Sequence, residues 1–323
     1  MEVHFYEAFA EEAALLQRYL PGDWTGAYSR ETIQEGGRRP PPGPVISVRT
    51  QSHIPPEWAG QLKAVLTRST GFEQIQHFLK VNRPTSDGIQ AGFLPLYCSR
   101  AVAEHALLLW VSLMKRLERQ RVQFRTFERD NLTGTEMEGK VMAIFGVGHI
   151  GYEVAQIGKG LGMRVVGVDL ERKHSDVTYR PPEEALRQAD ILVCAMSLNP
   201  ENHNYFTKER LLQAKPGVLF VNVSRGELSP CVTLLDLLEQ GHLSGVGLDV
   251  FDEEANLARG LRGGPYEETP EVRAAGIMAK RDNVLFTPHN AFNTQEAVER
   301  KARQSIEQLE HFRVHGRFLW PVP

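Results

Sequence analysis

The sequence predicts an α/β protein with two doubly wound parallel sheets, and three observations predict it. Short apolar runs alternate with amphipathic helical stretches along most of the chain. Turn residues or polar side chains follow many of these runs directly, as is typical of strands that end at a ligand-binding edge. At 323 residues, the chain is long enough for two domains that each bury a core.

The first hundred residues begin as strand, helix, strand. Predicted strands cover Val3 to Tyr6, Thr25 to Ser29, Val45 to Val48 and Ala64 to Thr67, with helices at Glu11 to Tyr19 and Trp58 to Leu62. The turn Ser69-Thr70-Gly71 follows the fourth strand, at the kind of strand end where open α/β sheets bind ligands.

A second strand series begins near residue 139. Its later strands are predicted at Ile191 to Ala195, Val218 to Val223, Gly245 to Leu248 and Val284 to Phe286. The last helix, about Thr294 to Phe312, has an apolar face that needs another surface, so we expect it to return to the first domain. The helix from about Ser99 to Leu117 is then the outgoing crossing. This predicts one domain of residues 1–99 plus 295–323 and a second of residues 100–294.

The most informative stretch is a strand followed by a glycine turn. The apolar run Val141 to Phe145 leads directly into Gly146-Val147-Gly148-His149-Ile150-Gly151, a G-x-G-x-x-G pattern. Gly146 permits a tight turn, Gly148 lets the backbone approach a pyrophosphate, and Gly151 lets the next helix pack on the strand. The helix opens here, so the N–H groups of residues such as His149 and Ile150 face the anion. The segment predicts a Rossmann-type dinucleotide site.

An acid at the end of the next strand indicates which dinucleotide binds. Asp169 lies eighteen positions after Gly151, where a carboxylate accepts hydrogen bonds from the adenosine ribose. It would repel the extra phosphate of NADP, so the prediction is NAD, with NADP less favoured. Arg172 and Lys173 are the opposing signal, since basic residues in this loop could also meet a 2′-phosphate.

The amino-acid composition limits the kinds of partner and the compartment that the sequence predicts. The formal net charge of −3 has no long like-charge runs and predicts neither nucleic acid nor a membrane surface as a partner. Three widely spaced cysteines carry no metal-ligand pattern and fit a reducing compartment. No basic-plus-apolar leader opens the sequence and no apolar stretch approaches a membrane span, so we expect a cytoplasmic protein.

Three later segments place polar groups just past strand ends. Arg225 follows an apolar strand, where its guanidinium could hold a carboxylate in two parallel hydrogen bonds. The acidic cluster from Asp249 to Glu254 follows the next strand. His289 follows the last strand and Pro288, a position suited to general acid–base chemistry. We expect these groups to converge beside the nicotinamide.

Together these segments resemble the D-isomer-specific 2-hydroxyacid dehydrogenase family, and the D-lactate dehydrogenase branch most closely. The resemblance covers most of the chain and includes the segments 67–73 and 95–105, the glycine turn, the Arg225 strand, the acidic cluster and Pro288-His289. It implies a Rossmann NAD-binding domain inserted into a discontinuous flavodoxin-like substrate domain, and a homodimer.

The resemblance also implies residue roles. Arg225 matches the arginine that binds the substrate, His289 matches the acid/base, and Glu254 matches its carboxylate partner. The position of Glu254 departs from the family because Ala255 replaces the usual proline, and Glu253 is the competing assignment. Thr70, Gly71 and Tyr97 match substrate-binding positions, with a backbone or packing role as the alternative for the last two. Asp249 matches either a cofactor-side or a structural position.

The predicted activity is NAD-dependent interconversion of a D-2-hydroxy acid and its 2-oxo acid. Oxidation of formate or phosphite on the same scaffold is one alternative, although the formate branch pairs its histidine with glutamine and this acidic loop offers carboxylates. A corepressor that senses NAD is the other. Arg225, Glu254 and His289 together favour turnover.

Overall fold

The computed structural model describes residues 1–37 and 40–323, which form two compact units. Unit 1 consists of Met1–Cys98 and Asn293–Pro323, and unit 2 consists of Ser99–Phe292. The chain therefore leaves unit 1 once, forms unit 2 and then returns.

Unit 1 contains a five-stranded parallel sheet. Its strands are β1 (Glu2–Phe5), β2 (Thr25–Tyr28), β3 (Val45–Val48), β4 (Ala64–Thr67) and β5 (Gln90–Gly92), and its first helices are α1 (Ala10–Tyr19), α2 (Ile33–Gly36) and α3 (Glu73–Val81). The strand order β2-β1-β3-β4-β5 is the flavodoxin-like order. The helix predicted over Trp58 to Leu62 is wrong. A single 3₁₀ turn, Pro56–Trp58, stands there because Gly60 disfavours continuation.

Unit 2 contains a seven-stranded parallel sheet. Its strands are β6 (Val141–Phe145), β7 (Arg164–Val168), β8 (Thr178–Tyr179), β9 (Ile191–Cys194), β10 (Val218–Asn222), β11 (Leu243–Leu248) and β12 (Val284–Phe286). In the strand order β12-β11-β10-β9-β6-β7-β8, the chain runs outward from β6 to one side and from β9 to the other. The carboxyl ends of β6 and β9 therefore form the topological switch point of a Rossmann sheet. The strands are almost wholly apolar because helices cover both faces.

The helices of unit 2 range in length from four to sixteen residues. They are α4 (Ser99–Met114), α5 (Leu117–Gln123), α6 (His149–Gly160), α7 (Pro182–Gln188), α8 (Lys208–Leu211), α9 (Cys231–Glu239), α10 (Glu254–Leu261) and α11 (Pro270–Met278). The prediction carried α4 on to Leu117, but it ends at Met114 because Arg116 adopts a left-handed conformation at φ 52°.

The last helix, α12 (Gln295–His315), belongs to unit 1 and packs against α1. Between the two helices and β4 lies a buried ion cluster, in which the Glu12 carboxylate accepts from Arg68 Nε at 2.8 Å and lies 3.0 Å from Lys301 Nζ. Arg68 also donates to the carbonyl of Tyr6 at 2.6 Å and to Ser47 Oγ at 2.9 Å. Each charge is therefore buried with a partner, as an ion in a protein core requires.

Burial shifts both titratable groups of this cluster. Burial by itself would raise the pKa of Glu12, but the charges of Arg68 and Lys301 outweigh it and lower that pKa to about 2. Burial lowers the pKa of Lys301 to about 7, against the attraction of Glu12.

In the part of the chain that the structure describes, no helix is long and apolar enough to cross a membrane.

Candidate active site

The carboxyl ends of six strands form one continuous row across the sheet of unit 2. Main-chain pairing joins the last residues of β7, β6, β9, β10, β11 and β12, which are Val168, Phe145, Cys194, Asn222, Leu248 and Phe286. The residues that follow this row lie at one edge of the sheet. That edge receives the glycine turn, Asp169, Arg225, Asp249 and His289.

The glycine turn has the geometry that a bound pyrophosphate needs. Gly146 has φ +88°, and a Cβ there would lie 2.6 Å from the backbone nitrogen of Met196. A Cβ on Gly151 would lie 1.9 Å from the carbonyl oxygen of Gly146. Gly148 caps α6 without a side chain, and a Cβ there would meet nothing within 4 Å. The N-terminus of α6, with His149 and Ile150 in its first turn, is therefore open to an anion, and these residues fit a dinucleotide.

Asp169 lies against this turn. Its Oδ2 accepts from the backbone N–H of Val147 at 2.6 Å and its Oδ1 accepts from that of Glu171 at 3.1 Å. The carboxylate is exposed beside the glycine turn, as a ribose ligand must be. Lys173, part of the opposing signal for NADP, pairs with Glu171 at 2.8 Å. A 2′-phosphate would therefore meet two carboxylates in this loop.

His289 and Glu254 form a pair. His289 Nδ1 lies 2.9 Å and 3.0 Å from the two carboxylate oxygens of Glu254. The two side chains are 26% and 22% exposed, so both are reachable from solvent. The competing assignment, Glu253, has its carboxylate bound by Thr269 Oγ1 at 2.8 Å. A carboxylate only accepts, so Nδ1 carries its proton toward Glu254 and leaves Nε2 to act on a substrate.

A buried carboxylate shapes the loop that carries His289. Asp249, which is 1% exposed, accepts from the backbone N–H groups of Asn290 and Ala291 at 2.9 Å each. It also accepts from Thr287 Oγ1 at 2.5 Å, and His105 Nε2 lies 2.9 Å from that hydroxyl. His289 itself has φ +51°, a left-handed conformation that is uncommon for residues other than glycine.

These contacts give Asp249 a structural role in the loop. The hydroxyl of Thr287 has one proton, which it gives to Asp249, so His105 Nε2 donates to Thr287. Sequence reasoning missed both Thr287 and His105. The signal available for Thr287 was its place directly after β12, whereas His105 comes from the distant helix α4.

Arg225 lies three residues past β10, which neighbours β11. Its guanidinium donates to the carbonyl of Ser224 at 2.8 Å, and its own carbonyl accepts from Asn222 Nδ2 at 2.8 Å. A Cβ on Gly226 would lie 1.8 Å from the carbonyl carbon of Phe251, so the loop carrying Arg225 packs directly on the loop leading to Glu254. Strands β10 and β12 are two positions apart, about 10 Å, which long side chains can bridge through a shared ligand.

The residues predicted to bind substrate from unit 1 are held firmly. Ser69 Oγ donates to the carbonyl of Gly71 at 2.6 Å, and Thr70 Oγ1 lies 3.5 Å from Cys98 Sγ. Tyr97 is buried, its carbonyl accepts from Arg300 Nε at 2.9 Å, and burial raises its pKa well above the ordinary value. The Tyr97 phenol therefore stays protonated.

Thiol chemistry has no support here. All three cysteines are buried, and burial raises the pKa of Cys194 and Cys231 to about 12. Neither thiol is therefore a thiolate at neutral pH. In residues 1–37 and 40–323, no group of three or more histidine, cysteine or acidic side chains is placed to hold a metal ion.

A Rossmann sheet with an acid after its second strand and a histidine–carboxylate pair at the same edge defines the class as a nicotinamide-dependent oxidoreductase. The family model described as "D-isomer specific 2-hydroxyacid dehydrogenase, NAD binding domain" matches residues 107–291. The chain belongs to this family, and its cofactor is NAD.

Similar proteins agree with this membership. The D-lactate dehydrogenase of Leuconostoc mesenteroides subsp. cremoris is 30% identical over 68% of this chain and 67% of its own. The glyoxylate reductase of Pyrococcus furiosus is 29% identical over 80% of this chain and 74% of its own. The structure of the Aquifex aeolicus D-lactate dehydrogenase complexed with NAD and lactic acid has a TM-score of 0.84 at 25% identity, covering 98% of each chain. The D-2-hydroxyisocaproate dehydrogenase, at 22% identity and a TM-score of 0.86 over 100% of this chain and 99% of that one, shares the fold.

Proposed function

We propose that this chain reduces a short 2-oxo acid to the D-2-hydroxy acid, and catalyses the reverse reaction, with His289 as the acid/base. The observation that carries the proposal is the hydrogen bond between His289 Nδ1 and Glu254. It lies at the carboxyl ends of the strands of unit 2, the edge of the sheet that also holds the glycine turn. Pairing with a carboxylate supports this activity over formate oxidation, for which a glutamine partner is expected.

Each residue has one part in the proposed reaction. The nicotinamide, when bound, supplies a hydride to the substrate carbon in reduction and accepts it in oxidation. His289 gives the proton on Nε2 to the substrate oxygen, so that hydride and proton together convert the carbonyl to a hydroxyl. Glu254 holds the imidazole in place and stabilises its positive charge. Arg225 binds the substrate carboxylate and polarises the carbonyl.

The remaining predicted residues have cofactor-binding, substrate-binding or positioning roles in this proposal. Gly146, Gly148, His149, Ile150, Gly151 and Asp169 are proposed to hold NAD. Thr70, Gly71 and Tyr97 remain the residues of unit 1 proposed to bind the substrate. Asp249 acts through the loop of His289 and is therefore a positioning residue in this proposal.

A substrate panel tests the reaction. Purified protein should oxidise NADH faster than NADPH with pyruvate or glyoxylate, and the lactate formed from pyruvate should be the D-isomer on a chiral column. In the reverse direction, D-lactate should be oxidised and L-lactate should not. Tight NADH binding with no turnover of any 2-oxo acid would contradict the proposal and favour the NAD-sensing alternative.

We also propose a cytoplasmic homodimer. Five large apolar side chains are exposed on α4, α5 and the segment that follows; they are Leu108, Leu117, Val122, Phe124 and Phe127. Such a group is more than scattered surface residues require and supports a second copy of the chain as the partner. Light scattering after gel filtration should give twice the mass of 36.4 kDa, and a monomer at micromolar concentration would contradict this.

A further inference from the structure

The other edge of the unit 2 sheet contains a basic cavity of about 520 Å³. Its lining includes the starts of β9 and β10, at Ile191 and Val218, together with Lys140 just before β6. The catalytic groups follow the opposite ends of the same strands. A five-residue strand is about 16 Å long, so the basic cavity is separate from the active site.

The charges that line this cavity do not balance. Its cationic side chains are Arg116, Arg119, Lys140, Lys215 and Arg281, and its carboxylates are Asp190 and Asp282. These five cations and two carboxylates leave a formal excess of three positive charges, in a chain whose net charge is −3. A concave surface lined by one sign of charge concentrates its field on the solvent inside.

Ion pairs account for only two of the five cations. Lys215 lies 2.9 Å from Asp190, and Arg119 lies 2.5 Å from Asp282. Across the described residues 1–37 and 40–323, the other three form no ion pair with a carboxylate. Arg116 donates to the carbonyl of Asn131 at 3.0 Å, which fixes its guanidinium without neutralising it. Such an arrangement is preorganised for an incoming anion.

We propose that the basic cavity binds a small metabolite with two or more negative charges on phosphate or carboxylate groups. Its volume falls within the range of small-molecule sites, and a ligand of the size of citrate or a sugar phosphate fits in it. Guanidinium groups suit both kinds of oxyanion because they can bind two oxygens in parallel. The excess of three positive charges favours a multiply charged ligand over acetate-like monoanions.

Calorimetry with the full-length protein tests this site. The protein is saturated with NADH, so that the glycine turn is filled, and is titrated with pyrophosphate, citrate or acetate in 0.15 M salt. Pyrophosphate or citrate should bind saturably, and whichever binds more tightly identifies phosphate or carboxylate as the natural chemistry. Absence of saturable binding by both polyanions up to about 10 mM, or equal affinity for acetate, would overturn the proposal.

Matched variants place the binding in the cavity. The double variant Lys140→Gln/Arg281→Gln should weaken polyanion binding at least about tenfold, because it removes two charge-assisted contacts. The control is Arg164→Gln, which removes an exposed charge at the start of β7 on the same edge but outside the basic cavity. Its affinity should stay within about twofold. Equal weakening in both variants would show a diffuse field and overturn the site.

Two further measurements keep this test independent of folding and of the proposed reaction. NADH binding by each variant reports that unit 2 is folded and does not depend on turnover. The charge-preserving variant Lys140→Arg should retain polyanion binding. If it binds as weakly as the double variant while NADH binding is intact, charge in the cavity is not what holds the anion, and the proposal fails.

Discussion

The His289–Glu254 pair of unit 2 and the cluster of Glu12, Arg68 and Lys301 in unit 1 differ in their access to water. The His289–Glu254 pair of unit 2 is 26% and 22% exposed. In unit 1, the side chains of Arg68, Glu12 and Lys301 are 0%, 3% and 1% exposed. A proton must enter and leave an acid/base, whereas a buried ion keeps its charge only through its partners. The partly exposed pair is therefore suited to chemistry and the buried cluster to holding α1, β4 and α12 together.

The largest expected effect is a loss of turnover, which should follow a change in the His289–Glu254 pair but not a change in the buried cluster. His289→Ala should lower kcat about 10²- to 10⁴-fold, because it removes the proposed proton donor to the substrate oxygen. NADH affinity and the free energy of unfolding should change little. Steady-state kinetics, fluorescence titration and urea unfolding measure the three quantities. His77→Ala, an exposed position on α3, is the control. Normal turnover in His289→Ala would remove the acid/base assignment.

The converse change addresses the buried cluster. Glu12→Gln should lower the free energy of unfolding by about 3–5 kcal/mol, because it leaves the buried guanidinium of Arg68 without its anion. The kcat of the folded fraction should stay as in the wild type. Urea unfolding checks this against Glu11→Gln, an exposed neighbour on α1. Equal stability of the two variants would show that the cluster does not hold unit 1 together.

Acid should remove the contribution of Glu12. Its pKa is about 2 in the folded chain and 4.5 ordinarily, so between these values the unfolded chain binds a proton that the folded chain does not. This stabilisation is complete above pH 4.5 and is lost as the pH falls toward 2, in total about 3 kcal/mol. The free energy of unfolding, measured between pH 4.5 and pH 2, should change less steeply with pH in Glu12→Gln than in the wild type. Parallel slopes would contradict the assignment.

A smaller loss of turnover is expected when only the carboxylate of the His289–Glu254 pair is changed. Glu254→Gln should lower kcat about ten- to hundredfold, since one charge-assisted hydrogen bond is lost. Glu253→Gln is the matched control, as its carboxylate binds Thr269. If Glu253→Gln caused the larger loss, the alternative pairing with His289 would be correct.

Local sequence was enough to predict several features of the site. The order of strand, glycines, helix, strand and acid predicted the dinucleotide turn, because each requirement there is met by residues adjacent in the chain. The parallel sheets followed from short runs of three to six residues, and the structure confirms them at β3, β4 and β12 with the predicted bounds. The weak point was the helix predicted over Trp58 to Leu62, where Gly60 limits the structure to the single turn Pro56–Trp58.

The sequence by itself determined the fold class, the NAD site and the residue types available for proton transfer, since these depend on patterns within a few tens of residues. The resemblance already favoured Glu254 over Glu253 as the partner of His289, and the structure shows that pair. Only the tertiary structure placed His105, Thr287 and Asp249 against the loop of the histidine. The buried cluster of Glu12, Arg68 and Lys301 and the basic cavity also emerged only there. These groups lie far apart in the chain, and the directions of their side chains depend on the packing of helices and loops that no local pattern contains.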